Sequence, residues 1–221
     1  MYLRWRRLLP RGVRLVPVEL PGRGIRSAEP FVEDFDSLVE QLCREHESIC
    51  DERYAFFGHS MGALVAYGMT ARWWEQSLAL PDILFASASP APSRRDPAFF
   101  AGKDSDAALC ADLRGQGGTP DEVFESAELL RIALDTLRAD YRACASFRYR
   151  PRTPLPLPIQ VLAGRQDDID VERILAWKAE TAAQFSSQWF EGGHFYLRQH
   201  EAAVTGIVSR RLAEDYSEVA S

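Results

Sequence analysis

Lysine is nearly missing from this chain: Lys103 and Lys178 are the only two among 26 basic residues. Acidic residues number 32, so the net charge is -6, which argues against a nucleic-acid partner. Cysteine is also sparse. Cys43, Cys50, Cys110 and Cys144 form no C-x-x-C pair and match no zinc spacing. The apolar settings of Cys43 and Cys144 suit core thiols in a reducing compartment. No run approaches the roughly 20 apolar residues that span a bilayer. The opening "MYLRWRRLLP" is basic but lacks the apolar stretch and cleavage site of a secretory signal. These absences point to a cytoplasmic protein with neither nucleic-acid nor membrane partners, and a monomer is expected. Hydrophobic residues, by contrast, are plentiful. With 221 residues and 46% hydrophobic content, the chain can bury one full core, so a single domain over 1–221 is expected.

Short apolar runs alternate with amphipathic stretches. Strands are expected at Val13–Leu20, in "YAFF" from Tyr54, at Asp82–Ser89, at Leu157–Gly164 and at Ser186–Phe190. Helices are expected at Tyr2–Leu9, Phe35–Ile49, Met61–Gln76, Val171–Ala183 and Tyr196–Leu212. This order predicts an α/β fold with a mostly parallel sheet flanked by helices. Residues of about 90–156 interrupt the alternation with no strand. There "TPDE" reads as a helix start, with Thr119 as cap, Pro120 at the first position and Glu122 closing a capping box. One helix is expected to run from there to Phe147, with Leu130, Leu134, Leu137 and Tyr141 on one stripe. Such an excursion reads as a lid over the carboxyl edge of the sheet, with hinges at Gly115, Gly117 and Gly118.

The chemistry centres on "GHSMG", residues 58–62. G-x-S-x-G between a strand and a helix is the setting of a nucleophile elbow. The turn is tight, so glycine is expected on both sides, and it lifts the Ser60 hydroxyl above the sheet at the positive end of the next helix. Serine needs a base steadied by a carboxylate. Of four histidines, His46 lies in a charged helix, His59 inside the elbow and His200 in the last helix. His194, in "FEGGHFYL" directly after the last strand, is the candidate base. The chain order Ser, Asp, His puts the acid after the preceding strand, in "VLAGRQDDID". Asp167 is the first choice and Asp168 the alternative, while Asp170 is placed to cap the helix at Val171.

Several segments together resemble the type II thioesterases, stand-alone α/β-hydrolases of polyketide and non-ribosomal peptide pathways. They are "RLLPRGVRLVPVELPGRGIR", "YAFFGHSMGALVAY", "GGTPDEVFESAELLRIALDTLRADYRACASFRY", "LAGRQDD" and "FEGGHFYL". The resemblance implies an α/β-hydrolase fold with a helical lid. It also implies editing hydrolysis of stalled or mis-primed acyl groups from the phosphopantetheine arm of acyl or peptidyl carrier proteins, with a colibactin-like pathway as one possible home. Ser60, His194 and Asp167 would then form the triad, and the Met61 backbone N–H one half of the oxyanion hole. In the lid reading, the stripe of Leu130, Leu134 and Leu137 is expected to face the acyl chain or the sheet. No metal or redox cofactor is implied, because the substrate itself carries the phosphopantetheine. Asp168 stands where the family commonly has proline, which leaves it as a competing acid. The family also begins with a strand and a Gly-rich loop that gives a second oxyanion donor. Tyr2–Leu9 matches the helix after that loop, so both are expected to be missing upstream. The competing functions are a carboxylesterase acting on small esters and a hydrolase-like binding protein without catalysis.

Overall fold

A computed structural model describes the backbone of residues 2–219 and the side chains of residues 2–213. Four parallel strands form the sheet: β1 (Phe56–His59), β2 (Leu84–Ser87), β3 (Ile159–Gly164) and β4 (Phe185–Phe190), in the order β1-β2-β3-β4. The register sets His59 beside Ser87, Ser87 beside Leu162 and Gly164 beside Phe190. Because side chains alternate across a strand, each apolar run serves two layers. Leu84 and Ala86 pack with Ala63, Ala66 and Tyr67 of α2 (Met61–Glu75), whereas Ile83 and Phe85 pack with Val208 of α7 (Glu201–Val219). A third layer follows, in which α1 (Phe35–Glu45) lays Phe35, Leu38, Val39 and Leu42 on the outer face of α2. Asp34 caps α1 by accepting from the Ser37 N–H.

The expected strand at Val13–Leu20 does not form. The segment has no regular secondary structure and joins none of the described strands. Between it and the outer edge of β1 lies an open groove, continuous with the main cavity of the molecule. Trp5 walls this groove, its indole Nε1 buried without an acceptor.

The 90–156 excursion, between β2 and β3, is helical as expected but differently divided. Instead of one helix there are three: α3 (Asp106–Gln116), α4 (Asp121–Glu125) and α5 (Ala127–Ser146). α3 escaped the sequence reading, although its signals are present. Ser105 caps it by accepting from the Ala108 N–H, and Gly117, at φ 67°, ends it in the left-handed conformation. The helix expected from Thr119 to Phe147 breaks at Ser126, whose hydroxyl accepts from the Leu129 N–H and so restarts the helix. Other ends are shorter than expected: α6 covers only Val171–Leu175 before a 3-10 turn, and α7 starts at Glu201, after His200.

Candidate active site

Ser60 stands between the last residue of β1 and the first of α2, at φ 55° and ψ -119°. A non-glycine residue rarely adopts this backbone, and such strain is held only where neighbours impose it. Here the Ser60 N–H donates to the Ser87 carbonyl at 2.8 Å, and the Ser60 carbonyl accepts from Ala63. A side chain at position 58 would collide with the backbone of Gly62 and Ala63, so glycine is obligatory there. At Gly62 the expectation of a similar constraint is corrected: a Cβ there would meet nothing. As the first residue of α2, Met61 has an N–H with no acceptor in its own helix, at the positive end of the helix dipole.

Asp167 and His194 come from the loops after β3 and β4. The His194 Nδ1 lies 3.0 Å from the Asp167 Oδ2, and both side chains are largely buried. Backbone contacts hold the two loops together. Arg165 donates to the Phe190 carbonyl at 2.8 Å, Gln166 donates to the Gly192 carbonyl at 3.0 Å, and the Gly192 N–H reaches the Gln166 Oε1. Gly164 is so close to the Gly192 and Gly193 carbonyls that no Cβ would fit, and Gly192 itself has φ 112°. Among the described residues no hydrogen bond joins Ser60 to His194. The two line one cavity, and the His194 ring lies 5.2 Å from the ring of His59, the neighbour of Ser60.

The rival acids separate clearly. Asp168 is exposed and, among the described residues, makes no hydrogen bond or ion pair, and Asp170 takes the cap position of α6 without a side-chain hydrogen bond. His200 turns its Nε2 to the Glu191 carbonyl, and His46 ends α1 at the rim of the β1 groove. His59 belongs to a buried polar chain. Its Nδ1 is 2.9 Å from the Ser87 hydroxyl, which is 2.7 Å from the Tyr196 hydroxyl. Burial, and then the nearby His194, hold the His59 ring well below the usual histidine range, so it is neutral. Its ring also packs at 5.3 Å from Phe195. No sequence signal pointed to this chain, because Ser87 and Tyr196 are remote from the elbow along the sequence.

The cavity measures about 1270 Å³ and runs from the lid past Ser60 into the groove along β1. Its lid wall is Ala133, Thr136, Leu137, Asp140 and Tyr141 of α5. Of the expected stripe, Leu137 reaches the cavity wall while also packing against the lid cluster, whereas Leu130 and Leu134 do not line the cavity: they pack with Leu109 and Tyr141 in the interior of the lid. The reason is α3, which covers the stripe that would otherwise have been free to face the cavity. Arg23, from the turn after the extended segment, ties α5 down through Asp140 at 2.7 Å. Burial pushes the Asp140 carboxyl up, and Arg23 opposes that shift. Arg26 is committed elsewhere, to Glu29 and Glu45. The hinge expected at Gly118 is instead a contact, since a Cβ there would strike the Phe195 ring beside His194.

The thioesterase-domain family model matches residues 1–213. Thioesterase PikA5 of Streptomyces venezuelae is 35% identical over 214 residues, covering 96% of this chain and 75% of the relative. RedJ, the thioesterase of the prodiginine pathway in Streptomyces coelicolor, superposes with a TM-score of 0.86 at 32% identity, over 95% of this chain and 84% of RedJ. ClbQ of the colibactin NRPS/PKS pathway superposes at 0.89 with 26% identity, over 100% and 93% of the two chains. With a family model spanning nearly the whole chain and a serine elbow facing an Asp–His pair, this chain belongs to the thioesterase family of α/β-hydrolases.

Proposed function

We propose that this chain hydrolyses acyl thioesters carried on the phosphopantetheine arm of polyketide or non-ribosomal peptide carrier proteins, clearing stalled or mis-primed chains. The supporting observation is the Asp167–His194 pair at 3.0 Å, opening on the cavity that holds Ser60. Ser60 attacks the thioester carbonyl while His194 takes its proton, and Asp167 stabilises the imidazolium. The Met61 N–H donates to the developing oxyanion. The pantetheine thiolate leaves with the proton from His194, and a water activated by the same ring hydrolyses the acyl-Ser60 ester. No metal or redox cofactor takes part in this scheme, and the chain acts as a cytoplasmic monomer. No helix among the described residues is long and apolar enough to cross a membrane.

The function is tested by incubating the protein with a panel of acylated carrier proteins and following acyl loss by intact mass. Acyl loss that depends on Ser60 is the expected result. Fluorophosphonate labelling of Ser60 with hydrolysis of small esters alone would replace this reading with a carboxylesterase. Absence of labelling and turnover would favour a binding protein.

A further inference from the structure

Arg95 belongs to the segment that leaves β2 and passes over the carboxyl edge of the sheet, and it lines the same cavity as Ser60 and His194. Its Nη2 donates to the Ser89 hydroxyl at 3.0 Å, while its Nε is buried with no partner. The Cys144 thiol of α5 is beside it, and no carboxylate within ion-pair distance among the described residues answers its charge. The cavity's acids are committed elsewhere or stand apart. Asp140 pairs with Arg23, Asp167 holds His194, Asp96 caps a 3-10 turn through the Ala98 N–H, and Asp168 is exposed. A second guanidinium, Arg173 of α6, also lines the cavity and spends its Nε and Nη2 only on the Arg94 carbonyl. A partly buried guanidinium without a counter-ion is costly to keep in the empty protein, and an anion that pairs with it offsets that cost.

From these contacts we infer that Arg95, assisted by Arg173, forms a subsite for a carboxylate borne on the acyl chain, so that acyl groups with a free carboxyl are preferred over neutral ones of equal length. The position favours the acyl end of the substrate over the phosphate of its arm. β2 is the neighbour of β1 in the sheet, roughly 5 Å away, and Ser89 lies just beyond it. Arg95 is thus tied to the end of the strand beside the one that leads to Ser60 and shares its cavity, whereas the phosphate sits at the far, carrier end of the arm. A guanidinium matches a carboxylate with two parallel hydrogen bonds, which gives the site its selectivity.

This inference rests on the thioesterase reading, and its test separates the two. Succinyl, malonyl, butyryl and acetyl N-acetylcysteamine thioesters, which carry no phosphate, are compared with the same acyl groups on a phosphopantetheinylated carrier. The wild-type chain is expected to favour the carboxylated pair on both scaffolds. In Arg95→Met the ratio of charged to neutral kcat/KM should fall roughly ten- to a hundredfold, with partial recovery in Arg95→Lys. Thermal stability of Arg95→Met should be equal or higher, an outcome that a purely structural arginine would not give. An equal loss on charged and neutral substrates, or a loss of stability, would overturn the subsite. So would a loss confined to carrier-bound substrates whatever their acyl charge, which would assign Arg95 to the phosphate. If no thioester is hydrolysed at all, the thioesterase reading fails. Calorimetric affinity of Ser60→Ala for succinyl-N-acetylcysteamine, with and without Arg95→Met, still decides the subsite: an unchanged affinity rejects it.

Discussion

At the carboxyl ends of β3 and β4, Gly164 meets the Gly192 and Gly193 carbonyls too closely for any side chain, and two backbone hydrogen bonds plus one from the Gly192 N–H to the Gln166 side chain join the two loops. In the lid, α3 and α5 meet instead through a small cluster around Leu109, Leu134 and Tyr141. Ion pairs on its surface add Arg138 with Asp135 at 2.7 Å and Arg142 with Glu33 at 3.0 Å. Exposed pairs of this kind contribute between nothing and about 1 kcal/mol each and weaken with salt. Chemistry that needs fixed distances therefore rests on backbone interlocking at the sheet edge. The lid rests on a small apolar cluster and on partly buried polar ties, among them Arg23 to Asp140 at 2.7 Å and Lys103 to Asp112 at 2.8 Å.

The sharpest break of this contrast comes at the rim. Ser60→Ala removes the proposed nucleophile and should lower turnover on the order of 10⁶-fold, the scale seen when a triad serine is lost. Single-turnover acyl release from a carrier substrate reads this directly, and near-parental rates would remove Ser60 from the mechanism. Asp167→Asn leaves the shape but allows the wrong His194 tautomer, so about 10⁴-fold is expected. Asp168→Asn, on an exposed side chain, should stay within a few-fold. Equal effects at 167 and 168 would mean that the interlocked loops do not select the acid.

Changes in the lid should be milder and should divide by face. Leu134→Ala opens a cavity in the α3–α5 cluster and should cost about 2–5 kcal/mol of local stability, visible as faster amide exchange in α3 and α5 than in α2. Leu137→Trp, at the cavity wall, should instead shift the preferred acyl length downward while exchange in α3 stays close to the parent. A shift in length preference from Leu134→Ala as large as that from Leu137→Trp would show that the two faces are not distinct.

The same contrast explains what the letters disclosed. The strand-end placement of Ser60, Asp167 and His194 was legible because the backbone there leaves signatures: G-x-S-x-G, the glycine closing β3, and the glycine pair after β4. The lid wall was not readable, because the stripe Leu130, Leu134, Leu137 is a property of α5 alone. Which half of it meets the cavity depends on α3, whose weakly amphipathic sequence "DAALCADLRGQ" gives little sign of a face. Val13–Leu20 failed for a related reason: apolar alternation encodes a willingness to pair, and a ladder needs a neighbour as well. The His59–Ser87–Tyr196 chain joins residues far apart in sequence and has no local pattern at all.

That hidden chain gives the smallest expected effect, and one that tests whether the rigidity of the rim includes its second histidine. His59 is buried, its Nδ1 faces the Ser87 hydroxyl and its Nε2 has no partner, so the folded protein resists protonating it. Burial is the main cause and the neighbouring His194 the next. In the unfolded chain the same ring titrates near its ordinary value of about 6.5. The folded value is the lower of the two, so the stabilising contribution is complete above the unfolded value. It is lost as pH falls toward the folded one, because below about 6.5 the unfolded state binds a proton that the folded state does not. The slope approaches about 1.4 kcal/mol per pH unit in that window. Urea unfolding at pH 7.5 and 5.5 should therefore show the wild-type chain losing about 1.4 kcal/mol more than His59→Asn, since every other titrating group is common to both. The Asn side chain can still meet the Ser87 hydroxyl, so the two chains should be compared by the difference between pH values and not by absolute stability. If both chains lose the same amount, His59 is protonated without penalty in the folded state, and the buried chain from His59 to Tyr196 is looser than the loops beside it.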